Sequence, residues 1–184
     1  SATGRGNRRR LESLLARERF PTPVRLLAGE GEMTLQEMLD RVAALPPNTP
    51  IALVDFFRDR EGRFISPEEL LEKINARTDN PIYPTGTFYM DLDVVGGRLV
   101  VADGLGRAAG ELGLRILRGE SASDIPVAPR SPTTLMFDYR EVMQHGISLS
   151  DLPEGAVVLH RPVTFYSQYR RLVWTVVGVF GLMA

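Results

Sequence analysis

Short apolar runs of strand length alternate with amphipathic helical stretches, and this alternation restricts the fold more than any other feature of the chain. The runs are Val24–Ala28 "VRLLA", Ile51–Phe56 "IALVDF", Pro81–Tyr83 "PIY" and Val94–Ala102 "VVGGRLVVA". The Ile51 run is apolar almost throughout, as expected of a strand covered on both faces. The Val94 run holds a glycine pair. Helical spacing marks Asn7–Glu18 (Leu11, Leu14, Leu15), a stretch from Thr34 (Leu35, Met38, Leu39, Val42), a stretch from Ser66 (Leu70, Leu71, Ile74) and Leu105–Arg118 (Leu105, Ala108, Ala109, Leu112, Ile116). Strands that alternate with helices pair in parallel through crossover helices. The expected fold is therefore a three-layer α/β domain over residues 1–127.

The ends of these helices are written locally. In "TLQE", Thr34 caps the first turn and Glu37 reaches back to it. In "SPEE", Ser66 repeats the device, and Pro67 sits at the first helical position, where its missing N–H costs nothing. In the last helix Gly106, Ala108, Ala109, Gly110 and Gly113 are small enough to let it lie very close to a sheet. That helix stops at "LRGE": Arg115 and Arg118 complement its negative end, and Gly119 supplies the left-handed residue that terminates it. Pro126 forces Ile125 to be extended, and the chain travels on to a strand at Leu135–Phe137 and a short helix at Tyr139–Gln144.

Composition excludes several functions. With no cysteine there is no disulfide framework, thiolate metal site or cysteine nucleophile. A net charge of -1 gives no global field toward nucleic acid. "GRGNRRR" is locally basic through Arg5, Arg8, Arg9 and Arg10, but Glu12 and Glu18 follow and no aromatic residue interleaves, so it reads as a solvated helix start. It lacks the lysine of a phosphate loop. His145 and His160 lack the spacing of a metal pair and read as surface or interface residues. No nucleophile elbow appears, and Asp91 and Asp93 point to opposite sides if extended. No catalytic residue, metal ligand or cofactor is expected.

The C-terminal end is apolar. Leu172–Ala184 "LVWTVVGVFGLMA" is thirteen residues without a charge, whereas a membrane span needs about twenty. Tyr166, Tyr169 and Trp174 beside Arg170 and Arg171 have the look of an interfacial belt. A buried closing element and the start of a transmembrane helix over 166–184 both fit that pattern. Two arginines outside a span run against the positive-inside tendency.

"GLGRAAGELGLRILRGESASDIPV" resembles the closing helix of type I periplasmic-binding proteins of the ABC-transporter substrate-binding kind. "TDNPIYPTGTFYMDLDVVGGRLV" resembles their segment that ends in a Gly-Gly pair. "LPPNTPIALVDFFRDREGRFISPEEL" is similar to the preceding strand and loop in the form carried by sensor histidine kinases. "FDYREVMQHGISLSDLPEGAVVLHRPVTFYSQYRRLVW" resembles the juxtamembrane ending of those sensors. The likeness spans about Leu11 to Trp174. It implies a periplasmic-binding-protein-like C-terminal lobe at 1–127, with its first strand and the N-terminal lobe upstream of Ser1. A return and juxtamembrane segment would follow at 128–165, and the membrane segment after it. The implied function is extracytoplasmic sensing of a small organic solute, in the inner membrane, by lobe closure. A homodimer is compatible with this. The alternative is a soluble substrate-binding component of a transporter.

In an open parallel sheet, ligands bind beyond the carboxyl ends of the strands. That rule selects Asp55, Phe56 and Phe57, with Asp55 accepting from a ligand amine or hydroxyl, or else capping its loop while the rings join the core. It also selects Tyr83, Phe88, Tyr89 and Asp91, either as a cleft wall of rings with one carboxylate or as a loop packed on the sheet edge. Gly96 and Gly97 permit close backbone approach by a ligand, or form a strand bulge. Ser1 and Thr3, at the start of the first helix, are placed for a carboxylate or for an ordinary cap.

Overall fold

The computed structural model describes residues 2–18, 22–27, 31–54, 56–126 and 131–162. The chain is mixed α/β. Its strands are β1 (Ile51–Leu53), β2 (Ile82–Pro84), β3 (Gly96–Val100), β4 (Thr133–Asp138) and β5 (Val157–Leu159). Its helices are α1 (Ala2–Arg17), α2 (Leu35–Ala43), α3 (Pro67–Asn75), α4 (Ala102–Leu117) and α5 (Tyr139–Gln144), with single 3₁₀ turns at Thr87–Tyr89 and Leu149–Asp151.

The helix boundaries follow from their caps. Glu37 donates its backbone N–H to Thr34 Oγ1 at 3.2 Å, and Thr34 N–H returns to Glu37 Oε2 at 2.8 Å, completing the capping box of α2. Ser66 Oγ accepts from Glu69 N at 3.1 Å at the start of α3. Gly119 (φ 94°) ends α4: its N–H reaches Ile116 O at 2.9 Å, and Glu120 N–H reaches Arg115 O at 3.1 Å. That bonding pattern is a Schellman motif. The Arg115 side chain clamps the same turn, donating from Nε to Glu120 Oε2 at 2.6 Å.

Two small sheets are joined by one strand. β1 and β2 pair in parallel, Ile51 opposite Ile82 and Leu53 opposite Pro84. β3 and β4 pair antiparallel, Gly96 opposite Phe137 and Val100 opposite Thr133; β4 and β5 are parallel. Val95 stitches the sheets together. Its N–H donates to Ile82 O at 2.9 Å and its carbonyl accepts from Asp138 N at 3.0 Å. At the far end Val100 N–H donates to Thr85 O at 2.8 Å, within a parallel bridge between Gly86 and Val100. The loops that feed β1 and β2 are tied by buried Asn80, which accepts from Thr49 N at 2.9 Å and donates to Pro46 O at 3.1 Å.

Successive strand residues point to opposite faces, and the core divides accordingly. Ile82, Val94, Leu99 and Leu53 join Leu39, Val42, Leu70, Leu71 and Ile74 of α2 and α3. Their neighbours Tyr83 and Val95 join Phe137, Val142 of α5, Ile147 and Leu149 on the other face.

The structure corrects several expectations. The sheet is not wholly parallel, because β4 runs against β3. Residues 22–27 form no strand; Arg41 Nη1 takes the Leu27 carbonyl at 2.8 Å instead of a neighbouring strand doing so. α4 does not lie on the sheet. None of its residues is buried, and Leu105, Leu114, Ile116 and Leu117 are 43%, 51%, 48% and 84% exposed. The face of Val95 and Phe137 is covered by α5 and the turn after it. No described helix is long and apolar enough to cross a membrane; the apolar segment Leu172–Ala184 and its aromatic approach lie outside the described residues.

Two glycine substitutions test this packing in opposite directions. At Gly96 (φ 109°) an added Cβ would stand 2.1 Å from Met136 O, so Gly96→Ala should cost about 3 kcal/mol in urea unfolding through backbone strain and steric conflict. At Gly110 an added Cβ meets nothing within 4 Å, so Gly110→Ala should stabilise by about 0.5–1 kcal/mol. A loss at Gly110 would mean that the face of α4 is covered.

Candidate functional site

The strand directions place two kinds of edge in the molecule. The carboxyl ends of β1 and β2 lie together at one edge of the sheet. Because β4 opposes β3, the carboxyl ends of β4 and β5 lie at the other. Ligand sites collect at such strand ends, and each edge carries side chains of interest.

At the β1–β2 edge, Thr85 Oγ1 donates to Val54 O at 3.0 Å and holds the two exits side by side. Phe57 and Phe88 follow, their ring centroids 6.5 Å apart and tilted by 35°. The Phe88 ring lies over Gly86, where a Cβ would meet it at 2.3 Å, yet the residue is 55% exposed. Its other neighbour is Tyr89, with centroids 4.2 Å apart. An exposed phenyl ring braced on one side by glycine and tyrosine is a stacking platform for an apolar or aromatic ligand.

The residues selected from sequence separate in space. Phe57 and Phe88 come together. Phe56 and Tyr89 are buried in the core and line no cleft. Tyr83 points to the second core cluster, where burial pushes its hydroxyl pKa up. Asp91 turns toward the opposite edge. Gly96 is buried and opposed by the β4 backbone, which accounts for its missing side chain without a ligand; Gly97 (φ 147°) has open space beside it. Thr3 lies in the first turn of α1. Asp55 and Ser1 lie outside the described residues.

At the other edge stands a cluster that sequence reasoning did not select. Asp138 closes β4 and is fully buried, with 0% of its side chain exposed. It caps α5 by accepting from Arg140 N at 2.8 Å, and accepts from Arg140 Nη2 at 3.0 Å and His160 Nδ1 at 2.6 Å. Burial alone would raise its pKa, but the hydrogen bonds from Arg140 and His160 outweigh it and hold the carboxyl below its ordinary value. An ionised carboxylate only accepts, so His160 Nδ1 carries the proton. His160 Nε2 then faces Asp91 Oδ1 at 3.6 Å. One turn along α5, buried Glu141 sits 3.6 Å from His145. Burial, and then the charge of Asp93, push its pKa up. Two of the non-glycine residues with left-handed backbone, Asp93 (φ 52°) and His160 (φ 52°), belong to this cluster. Among the described residues no group of three or more carboxylates and histidines is placed to hold a metal ion.

Both histidine and carboxylate were hidden by distance in sequence. Asp138 and His160 end neighbouring parallel strands, so the rule that chose Phe57 and Phe88 would have chosen them had the β4–β5 pairing been read. A surface hollow of about 330 Å³ between α2 and α3, lined by Leu35, Leu39, Arg63, Lys73 and Arg77, lies away from both edges. Its cations are already engaged by Glu69 and Asp40, so it is an open helix–helix seam.

The buried carboxyls of Asp138 and Glu141 have opposite effects on stability. Asp138, with its pKa held down, stabilises above the unfolded-state value of about 3.9 and loses that contribution as pH falls through its folded value. Asp138→Asn should therefore cost about 2 kcal/mol at pH 7, with the difference closing in acid. Glu141, with its pKa raised, is strained when ionised, so Glu141→Gln should raise the midpoint at pH 7 and leave it unchanged below about pH 4. Thermal unfolding from pH 3 to 8 reads both.

No family model matches the chain, and neither a curated protein nor a solved structure matches it.

Proposed function

We propose that this chain is the C-terminal lobe of a periplasmic-binding-protein-like sensor domain, carried outside the membrane by a receptor of the histidine-kinase kind. The observation that carries the proposal is the edge at which parallel β1 and β2 end side by side and present the exposed ring of Phe88 beside the half-buried ring of Phe57. A small organic solute stacks on Phe88 there and is closed over by an N-terminal lobe. Bridging two lobes stabilises the closed state, and the population shift is the signal.

The exposed face of α4 supports the two-lobe part of this reading. A sixteen-residue helix with leucine and isoleucine on one face and no buried residue is built to be covered. The N-terminal lobe is the body that covers it. The resemblance of "RILRGESASDIPV" to the closing helix of such domains points the same way. In this reading residues 166–184 begin the membrane segment that carries lobe closure to an output domain.

The test is a thermal-shift screen of amino acids, nucleosides and aromatic acids on the domain extended upstream of Ser1 to include the other lobe. An aromatic solute should stabilise it, and Phe88→Ala should weaken that solute about tenfold, as loss of a stacking anchor costs upward of about 1.4 kcal/mol. If no solute raises the midpoint, or if Phe88→Ala leaves affinity unchanged, the proposed cleft is wrong.

A further inference from the structure

The segment Gly86–Asp93 touches both edges of the sheet. It begins at the ligand edge, where Gly86 pairs with Val100 and Phe88 stands in solvent. It ends at the opposite edge, where Asp91 faces His160 and Asn75 Nδ2 lies 3.4 Å from the carbonyls of Leu92 and Asp93. His160 is the residue immediately after β5, so its backbone sets the direction in which the chain leaves the domain.

We infer that His160 is a positioning residue that ties the exit of β5 to the Gly86–Asp93 segment, through Asp138 on one side and Asp91 on the other. Nδ1 donates to the buried Asp138 carboxylate at 2.6 Å, and Nε2 stands 3.6 Å from Asp91, a contact that becomes an ion pair when the ring carries both protons. The backbone is part of the device. His160 holds φ 52°, a conformation that a non-glycine residue adopts at a cost and that persists only when its surroundings impose it. Asp138 supplies that restraint, because its position is fixed by the β4 ladder, by Val95 O and by Arg140. Asp93, at the other end of the link, is also left-handed. A displacement of the Gly86–Asp93 segment at Phe88 therefore changes the Asp91–His160 contact and releases or tightens the chain leaving β5. In the sensor reading proposed above, on which its meaning as a signal rests, this is the joint between ligand cleft and output segment.

The test needs no ligand, so it stands apart from the solute screen. Amide hydrogen exchange is measured on the 1–184 chain for five forms: wild type, Asp91→Asn, His160→Asn, these two combined, and His160→Gly. Asparagine keeps a donor near the position of Nδ1 and favours the left-handed backbone, but cannot reach Asp91. Glycine keeps only the backbone. His160→Asn and Asp91→Asn should each speed exchange at Leu92–Val94 by about tenfold, their combination should add nothing further, and His160→Asn should leave Val157–Leu159 protected. His160→Gly should lose protection at both sites. Two results would overturn the inference. One is His160→Gly exchanging as slowly as wild type at both sites, since strain relief would then outweigh the tether. The other is Asp91→Asn leaving Leu92–Val94 unchanged; because Asp91→Asn and His160→Asn keep the strand contacts, that result stands even if the glycine variant fails to fold.

Discussion

The backbone of Val95 holds the two halves of this protein together. β1 and β2 make a three-rung parallel ladder, and β3, β4 and β5 make another sheet. Of the two sheets, the β1–β2 ladder is not large enough to be independently stable, since an isolated pair of strands is marginal in water. The two bonds of Val95, to Ile82 O and from Asp138 N, join them in the middle of the molecule. Side-chain burial reinforces the join: Val94, Val95 and Leu99 are all fully buried, Val94 and Leu99 in one core cluster and Val95 in the other. Val95 also places Asp138, and through Asp138 the edge at which His160 stands.

From that stitch follows the separation of the two edges. A wholly parallel sheet would gather Phe57, Phe88, Asp138 and His160 at one end. The reversal between β3 and β4 sends the aromatic pair one way and the buried ion-pair cluster the other. The ring edge is suited to binding because the Phe88 ring is exposed and braced. The Asp138 edge is suited to holding, because its central carboxylate is buried and fully committed to partners. Burying a carboxylate is costly without such partners, and Asp138 has the end of a helix, a guanidinium and an imidazole around it.

Local features were legible in the sequence. Thr34 with Glu37, Ser66 with Pro67, and Gly119 after Arg118 each announce a helix end through chemistry confined to a few residues. Tyr139–Gln144 is helical over the span that its pattern predicts. What failed was non-local. Strand direction depends on which neighbour a strand finds, and thirty-three residues separate Val100 from Thr133, its partner in the ladder. The stripe of α4 was read correctly as apolar, but a stripe says that something covers it and does not say what. Tyr83, Phe88, Tyr89 and Asp91 looked like one cluster because they are close in sequence; strand alternation and a 3₁₀ turn point them in different directions. His160 was undervalued because its partner Asp138 lies twenty-two residues away.

The link between the two edges requires that the two sheets form one cooperative body through Val95. Native-state hydrogen exchange measures this directly. The amides of Val95, Val100 and Asp138 should exchange with the same opening free energy, equal to that of global unfolding in urea. A Val95 amide that opens well below the global value while β4 stays protected would mean that the sheets separate independently, and the link between the edges would be lost with them.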